Sequence, residues 1–310
     1  MTNADPEVRA FEGVKATCEA FKGGKDIDAV KVTAEPNKVP TVSFATAQPG
    51  SSIKSALAQI ETVQTKVVRE GKGPAFTGDQ LVNIEYAVFS STSGDILSAS
   101  KWDGTDYASP LFNSTDTKQF CDALGGVKQG SLVSFAFPAT EADPEGSLFV
   151  LELKKVYLSR ANGSSNAPES GFPAVVVDPK TGTPGILQPS FAAPTDFKRS
   201  TLITGKGETV KAGDSVTVHY IGWVWTEDIG DPFDSSWVPR DESTPMSPAT
   251  FTLTEEFLKV GFIKALDGIT VGSQVIASIP AEFMYGAEGA GSIPPNATVI
   301  FVIDVLGINK

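Results

Sequence analysis

The residues best suited to binding or catalysis lie in an aromatic stretch that contains one acidic residue. Strict alternation places Val216, Val218 and Tyr220 on one face of a predicted strand. Phe233 lies where a second strand returns, and Asp234 follows it directly. An aromatic pocket that holds one carboxylate suits the binding of a ring-shaped, weakly polar group better than it suits hydrolysis. The simpler alternative is a strand followed by an ordinary turn.

Most familiar kinds of catalytic site are excluded by residue type. The chain has one histidine, His219, so a zinc site with two histidines is impossible. No Ser/His/Asp arrangement has supporting motif residues, and no phosphate-binding glycine loop is present. Cys18 and Cys121 do not form a CxxC motif, and they are either a disulfide pair or two small buried side chains. We therefore expect neither a metal nor a cofactor.

Length and charge narrow the class of protein further. The chain has 310 residues, which is typical of about two domains. It carries 25 basic and 37 acidic residues, for a net charge of −12, so nucleic acid would be repelled and is excluded as a partner. No run of about 18 apolar residues exists, so the chain as given is expected to be soluble. Its polar opening also fits the mature end of an exported protein.

The elements that must position the aromatic stretch follow it in order. A short amphipathic pattern places Phe262 and Leu266 on one face and ends at Asp267-Gly268. After it come a strand at 275–280, the pair Tyr285-Gly286, the triplet Ile293-Pro294-Pro295 and a final strand at 299–305. In this order the set resembles the FKBP-type peptidyl-prolyl cis-trans isomerases. The resemblance covers about residues 205–310.

The resemblance implies a site as well as a fold. Phe262 would be the floor of the pocket, and Tyr285 would donate its hydroxyl to a substrate carbonyl. Asp234 would lie beside the twisting amide or hold Tyr220 in place. The backbone N–H of Lys259 would bind a second carbonyl. The apolar walls would be Tyr220, Phe233, Phe251, Leu258, Phe262, Ile293 and Phe301.

Several residues depart from the usual pattern of that family. Relatives usually have Trp where this chain has Phe262, so a wider pocket base is expected. The insertion at 239–248 is longer than in minimal relatives, and Ala249 stands where relatives often carry an aromatic residue. The substrate preference of relatives therefore does not transfer to this chain.

An internal repeat indicates that the chain holds two copies of one domain. Residues 119–139 align without a gap on residues 261–281, so that Phe120 matches Phe262 at an offset of 142 (262 − 120). Upstream, Tyr86 of the first copy matches Tyr220 of the second. Both copies are preceded by extra strands, which in the first copy form a predicted hairpin at 29–44.

The first copy has lost parts of the expected site. It has Ser98 where the second copy has Asp234, and it lacks about ten residues that correspond to the segment with Tyr285 and the prolines after Ile293. In the family this segment covers the substrate proline. The retained Tyr86 and Phe120 are either remnants of a weak binding pocket or core residues.

The predicted fold class is mainly β (α+β). Each copy is expected to form an antiparallel half-barrel wrapped over one short helix, near Gln119–Leu124 in the first and Phe262–Asp267 in the second. The expected divisions are an N-terminal extension (1–28), a degenerate FKBP-like domain (29–158), a polar Gly/Ser-rich linker (159–170) and an isomerase domain (171–310).

The implied function is peptidyl-prolyl cis-trans isomerisation that assists protein folding, without a cofactor. The expected partners are proline-containing polypeptides, and macrolide inhibitors are candidate ligands. Two alternatives stay open: a non-catalytic chaperone or peptide-binding module with this fold, and an extracellular structural protein of repeated β-domains. The layout resembles exported actinobacterial members of the family. We therefore expect an extracytoplasmic location, with membrane attachment only through a lipid anchor absent from this chain.

Overall fold

The computed structural model describes residues 18–44, 60–78, 80–91, 93–105, 107–110, 117–141, 144, 146–167, 169–226, 229–238 and 246–309. These residues separate into two compact units, which meet in sequence between Tyr157 and Leu158. Antiparallel strands dominate both units and the helices are short, so the prediction of a mainly β protein is confirmed. Within the described ranges, no helix is long and apolar enough to cross a membrane.

The first unit contains a five-stranded antiparallel sheet with the order β3-β6-β7-β4-β5. A separate hairpin, β1-β2, pairs Val30 with Phe44 and confirms the hairpin predicted at 29–44. The elements are α1 (Lys25–Asp28), β1 (Val30–Thr33), β2 (Thr41–Phe44), β3 (Gln64–Arg69), β4 (Val82–Ser90), β5 (Ile96–Ala99), α2 (Lys118–Leu124), β6 (Leu132–Phe137) and β7 (Ser147–Val156).

The second unit contains a seven-stranded sheet with the order β13-β12-β16-β15-β11-β8, in which β14 also pairs with β12. A separate hairpin joins β9 and β10. The elements are β8 (Ser164–Ser165), β9 (Val175–Val177), β10 (Pro184–Ile186), β11 (Lys198–Thr204), β12 (Ser215–Val224), β13 (Asp234–Ser235), β14 (Ala249–Thr252), α3 (Val260–Leu266), β15 (Gln274–Ile279), a 3-10 helix (Ala281–Phe283) and β16 (Val299–Asn309).

The central strands of the second sheet are apolar on both faces because both faces are covered. One face packs against α3, which buries Phe262 and Leu266 one turn apart. The other face carries Trp223 and Ile300, which pack beside the hairpin residue Val175. Continuous burial explains why β15 and β16 read as near-continuous apolar runs rather than as alternating ones.

A cation from the sheet holds the C-terminal end of α3. The Arg199 guanidinium on β11 donates to the backbone oxygens of Lys264 (3.0 Å), Ala265 (3.4 Å) and Asp267 (2.7 Å). The last carbonyls of a helix have no partner within the helix, so these bonds satisfy groups that would otherwise need water. The helix that carries Phe262 is thereby fixed against the sheet.

The two sheets share their strand order and their irregularities. The pairing of β4 with β7 shifts between Asn83 and Ile84, and the pairing of β12 with β16 shifts between Thr217 and Val218, 134 residues later (217 − 83). A second pairing shift lies near the end of β3 in the first sheet and near the end of β11 in the second sheet. Bulges are local features of a particular fold, so a matched pair of them indicates more than a shared class.

Two predicted boundaries differ from the structure. Where the sequence pattern predicts a linker at 159–170, Ser164–Ser165 form β8 on the edge of the second sheet, and the Ala161 N–H donates to Asp304 Oδ2 (2.7 Å). The polar composition there belongs to an edge strand that faces water, which looks like a linker in sequence.

Where an extension is predicted at 1–28, residues 18–28 are part of the first unit. Ile27 is fully buried in its core, and Cys18 forms a disulfide with Cys121 on α2 with a Cα–Cα distance of 5.0 Å. The bridge resolves the two alternatives that the cysteines left open. Both predicted central helices are present, each beginning one or two residues earlier than expected and the second ending one residue sooner, at Leu266.

Candidate functional site

An aromatic cluster lies between α3 and the second sheet. Phe262 from the helix is at its centre, edge-to-face with Phe251 (5.5 Å between ring centroids), Phe301 (5.3 Å) and Tyr220 (6.0 Å). Edge-to-face packing places the positive ring edge against a negative ring face, so it fixes ring orientation as well as position. The cluster therefore forms a rigid, apolar base.

The single acid is held at the edge of this cluster. The Tyr220 hydroxyl donates to Asp234 Oδ2 at 2.7 Å, and the Ser235 N–H donates to Asp234 Oδ1 at 3.0 Å. Ser236 ties the same short strand to β12, since its Oγ accepts from the Tyr220 N–H (2.8 Å) and donates to the Tyr220 carbonyl (3.2 Å). Local hydrogen bonds thus fix both the acid and the strand that carries it.

A cleft of about 610 Å³ opens beside the acid. One aromatic wall pairs Phe233 with Tyr285 at 6.2 Å, and Phe233 also contacts Phe301 at 5.5 Å, which joins the cleft to the aromatic cluster. A volume of this size holds a small cyclic group with flanking backbone. The cleft is lined by Pro232, Phe233, Asp234, Ser235, Val238, Tyr285, Ala290, Gly291, Ser292 and Ile293.

Tyr285 presents a hydrogen-bond donor to this cleft. Burial raises the pKa of its hydroxyl, and the nearby negative charge of Asp234 raises that pKa further. The hydroxyl therefore stays protonated at neutral pH, and among the described residues it makes no hydrogen bond. Tyr285 is a donor without an internal acceptor.

The segment after Tyr285 closes one side of the cleft by a tight turn. Ala290 and Ile293 exchange backbone hydrogen bonds of 3.0 and 2.8 Å. Gly289 precedes the turn with φ +71°, and a side chain there would collide with the Ile293 carbonyl. This is the close approach that requires glycine. The turn carries buried Ile293 over the cleft.

Eight of the ten predicted site residues fall into two groups. Phe233, Asp234, Tyr285 and Ile293 line the cleft, and Tyr220, Phe251, Phe262 and Phe301 form the aromatic base. Leu258 is half-buried against the same core. Lys259 is exposed at the start of α3, and its backbone N–H has no acceptor within the described part of the chain.

Comparison with known proteins identifies the family. Residues 206–306 match the FKBP-type peptidyl-prolyl cis-trans isomerases. An FK506-binding protein of Streptomyces anulatus is 32% identical over 127 residues, which make up 40% of this chain and 96% of the relative. FK506-binding protein 1 of Debaryomyces hansenii is 38% identical over 121 residues, which make up 38% of this chain and 100% of the relative. This chain belongs to the FKBP-type isomerases.

A solved structure of FkpA from Escherichia coli is also similar. It is 28% identical to this chain, covers 46% of this chain and 53% of its own, and superposes with a TM-score of 0.33. The family assignment therefore depends on the sequence relatives, and its matched region coincides with the unit that holds the cleft.

Behind the FKBP site lies a buried histidine with no predicted role. His219 stacks on Trp237 at 4.1 Å, and its Nδ1 shares a hydrogen bond of 2.8 Å with Ser236 Oγ. Burial lowers the pKa of His219 to about 3, so the ring is neutral and Ser236 stays bonded to both His219 and Tyr220. The sequence signals only a histidine within a strand, because Ser236 and Trp237 reach it from the segment that follows β13.

In the first unit, phenyl rings surround the residue that corresponds to Phe262. Phe120, the counterpart of Phe262, is surrounded by Phe137 (4.9 Å), Phe149 (5.4 Å) and Phe135 (6.0 Å). Phe135 and Phe149 stack in parallel at 5.2 Å. At the position of Asp234, Ser98 is exposed. Of the two alternatives for Phe120, the structure favours a core residue.

Proposed function

We propose that the second unit carries the isomerase activity and that its cleft binds the ring of a substrate proline. The observation that carries this proposal is the meeting of three features at one place. These are an acid held by Tyr220, the unpaired hydroxyl of Tyr285 and the apolar walls formed by Phe233 and Ile293. A weakly polar ring fits the walls, and the amide next to it meets the polar groups.

The reaction needs no nucleophile or metal. Rotation about a peptide bond must cross a barrier of about 18–20 kcal/mol, because the planar amide is stabilised by resonance. A site accelerates this rotation if it binds the twisted amide more tightly than the planar one. A site that excludes water also weakens solvation of the polar planar amide relative to the twisted one.

Each proposed residue has a role in that selective binding. Phe262 is the floor beneath the proline ring, and Tyr285 donates its hydroxyl to a substrate carbonyl. The N–H of Lys259 at the start of α3 binds a second carbonyl and fixes the chain on the other side of the proline. Asp234 is placed beside the twisting amide, where its carboxylate, held by the Tyr220 hydroxyl, presents a fixed negative charge to the carbonyl carbon, which becomes more electron-poor as the nitrogen lone pair leaves conjugation.

The first unit is proposed to be a degenerate copy of the same half-barrel domain. The shared strand order and the matched irregularities support a common origin. Its interior is filled by phenyl rings, and it lacks the acid. We propose that it is a scaffold without turnover.

The clients are proposed to be proline-containing polypeptides that are still folding, and macrolides such as those named in the relatives are candidate ligands. We also propose an extracytoplasmic location, with attachment through a lipidated cysteine upstream. The Cys18–Cys121 disulfide supports this location, because structural disulfides persist mainly in oxidising compartments.

The experiment compares Asp234→Ser with Ser98→Asp in the full chain, on a proline-containing tetrapeptide. Asp234→Ser copies the first unit and is expected to lower kcat/KM by roughly 30-fold, since it removes a charge placed at the reacting amide. Ser98→Asp is the matched control and is expected to change nothing. Full activity in Asp234→Ser would contradict the assignment of Asp234 to the catalytic site. A wild-type chain that binds unfolded polypeptide without any turnover would favour the non-catalytic chaperone instead.

A further inference from the structure

A second apolar surface lies on the same unit, outside the cleft. It consists of Leu187 and Phe191, which follow β10, and Trp225, which follows β12. Leu187 is 40% exposed and Phe191 is 41% exposed. The Phe191 and Trp225 rings meet at 5.6 Å with an interplanar angle of 64°. An exposed ring that packs on a half-buried one forms a patch rather than a scattered exposed residue.

The patch is held in place by the polar residue between its members. Gln188 Nε2 donates to the Thr226 carbonyl (3.2 Å), and Gln188 Oε1 accepts from the Ile229 N–H (2.6 Å). The Trp225 N–H donates to the Thr298 carbonyl (2.9 Å) and continues the pairing of β12 with β16. The rings therefore have a fixed position, and binding to them costs little ordering of the protein.

The patch lies near the cleft. Trp225, Ile229 and Val238 all pack against the same buried apolar cluster on the outer face of the sheet. Val238 also lines the cleft, and Pro232, which follows Ile229 by three residues, lines it as well. The patch and the cleft therefore border one apolar cluster.

We propose that Leu187, Phe191 and Trp225 form a second binding surface for the same client polypeptide. It would take apolar side chains that lie outside the prolyl segment held in the cleft. Such side chains are available only while a client is unfolded. Aromatic anchors are the residues that most often dominate binding energy at interfaces. The inference rests on the proposed function, because the cleft defines where the client proline lies.

The test uses the full-length chain with Phe191→Ser and, as a matched control, Leu97→Ser. Leu97 is 66% exposed and lies in the first unit, so its replacement removes an exposed apolar side chain away from the patch. Two probes are used: reduced, carboxymethylated α-lactalbumin for binding and a proline-containing tetrapeptide for turnover. Phe191→Ser is expected to weaken binding of the unfolded protein about ten-fold, which corresponds to about 1.4 kcal/mol. The tetrapeptide is too short to reach the patch, so its kcat/KM is expected to stay unchanged.

Several results would overturn the proposal. Unchanged binding of the unfolded protein by Phe191→Ser and by Leu187→Ser would exclude the patch, and an equal loss in Leu97→Ser would show a non-specific effect. Loss of tetrapeptide turnover would indicate that Phe191 supports the cleft rather than contacting clients. Concentration-dependent dimerisation that Phe191→Ser abolishes would assign the patch to a second copy of the chain. Absence of tetrapeptide turnover in the wild type would refute the proposed function, while the binding comparison would still test the patch.

Discussion

The two units differ most where their sheets face the short helix. In the first unit Phe135 pairs with Phe149, and at the equivalent place in the second unit Ala277 pairs with Phe301. Phe135 places a phenyl ring beside its helix, whereas Ala277 places only a methyl group beside the helix of the second unit. The same sheet can therefore hold a closed core or the base of a binding site, depending on the volume of one or two side chains.

The outer faces of the sheets differ in their electrostatics. The first unit buries Glu85, which lies 3.3 Å from the Lys154 ammonium and accepts from the Gly104 N–H at 3.0 Å. At the equivalent position, 134 residues later (219 − 85), the second unit has neutral His219 bonded to Ser236. An ion pair therefore lies behind the filled core of the first sheet, and a neutral histidine hydrogen-bonded to Ser236 lies behind the cleft of the second.

The largest expected effect is on the stability of the first unit, which contains the Cys18–Cys121 disulfide. The Cys18–Cys121 bridge closes a loop with a sequence separation of 103, and loss of such a bridge costs about 3 to 5 kcal/mol in unfolding free energy. We expect Cys18→Ala with Cys121→Ala to destabilise the first unit by that amount. Hydrogen exchange in urea, measured on peptides from each unit, tests this. Isomerase activity under native conditions should not change, and a parallel loss in both units would show that their stabilities are coupled.

The sequence predicted the strand and the helix of the site better than it predicted how side chains fill the volume between them. Alternation around Tyr220 and the spacing of Phe262 and Leu266 are local patterns, so they predicted the strand and the helix. The filling of the first unit by Phe135 is a matter of volume among residues distant in sequence, and no local pattern encodes it. The role of His219 was overlooked for the same reason, because its partners Ser236 and Trp237 come from the segment after β13.

The second prediction copies the closed core of the first unit into the second. Ala277→Phe places a ring beside Phe262 and is expected to lower kcat/KM roughly 100-fold by occupying the base of the proline site. Overpacking costs about 1–3 kcal/mol, so thermal unfolding and near-UV circular dichroism must show that the variant is folded. The reciprocal variant Phe135→Ala should gain no activity, since the first unit has Ser98 in place of Asp234. A folded Ala277→Phe with full turnover would refute the comparison.

The third prediction uses the neutral histidine of the second unit. The folded-state pKa of His219 is about 3, below the unfolded value of about 6.5. Its contribution to stability is therefore complete above pH 6.5 and decreases as the pH falls toward 3. By pH 5 the histidine contribution should have fallen by about 2 kcal/mol, read as the difference between the wild type and His219→Asn, because the buried Asp304 carboxyl, with a pKa raised to about 6, changes stability in the opposite direction over this range. His219→Asn should be less stable at pH 7 but should lack this loss.

The measurement is simple because the chain has one histidine. Its ring protons can be followed by NMR, and urea unfolding at pH 7 and pH 5 gives the free energies. The first unit, with Glu85 at this position, serves as an internal control and should show no histidine-linked loss. A His219 ring that titrates near pH 6.5 in the folded protein would contradict the buried, neutral network.

The smallest expected effect concerns a single hydrogen bond. Tyr285→Phe removes the hydroxyl and leaves the ring that packs on Phe233, so it should lower kcat/KM about five-fold, the value of one neutral hydrogen bond. Tyr86→Phe in the first unit is the matched control and should have no effect. Because burial and the charge of Asp234 raise the pKa of Tyr285, ionisation of its hydroxyl should not lower wild-type activity between pH 7 and pH 9. Turnover that falls between pH 8 and pH 9 in the wild type but not in Tyr285→Phe would show that the hydroxyl ionises early and is not the shielded donor. Equal turnover by Tyr285→Phe and the wild type would remove the hydroxyl from the site and leave catalysis to the walls, Asp234 and the N–H of Lys259.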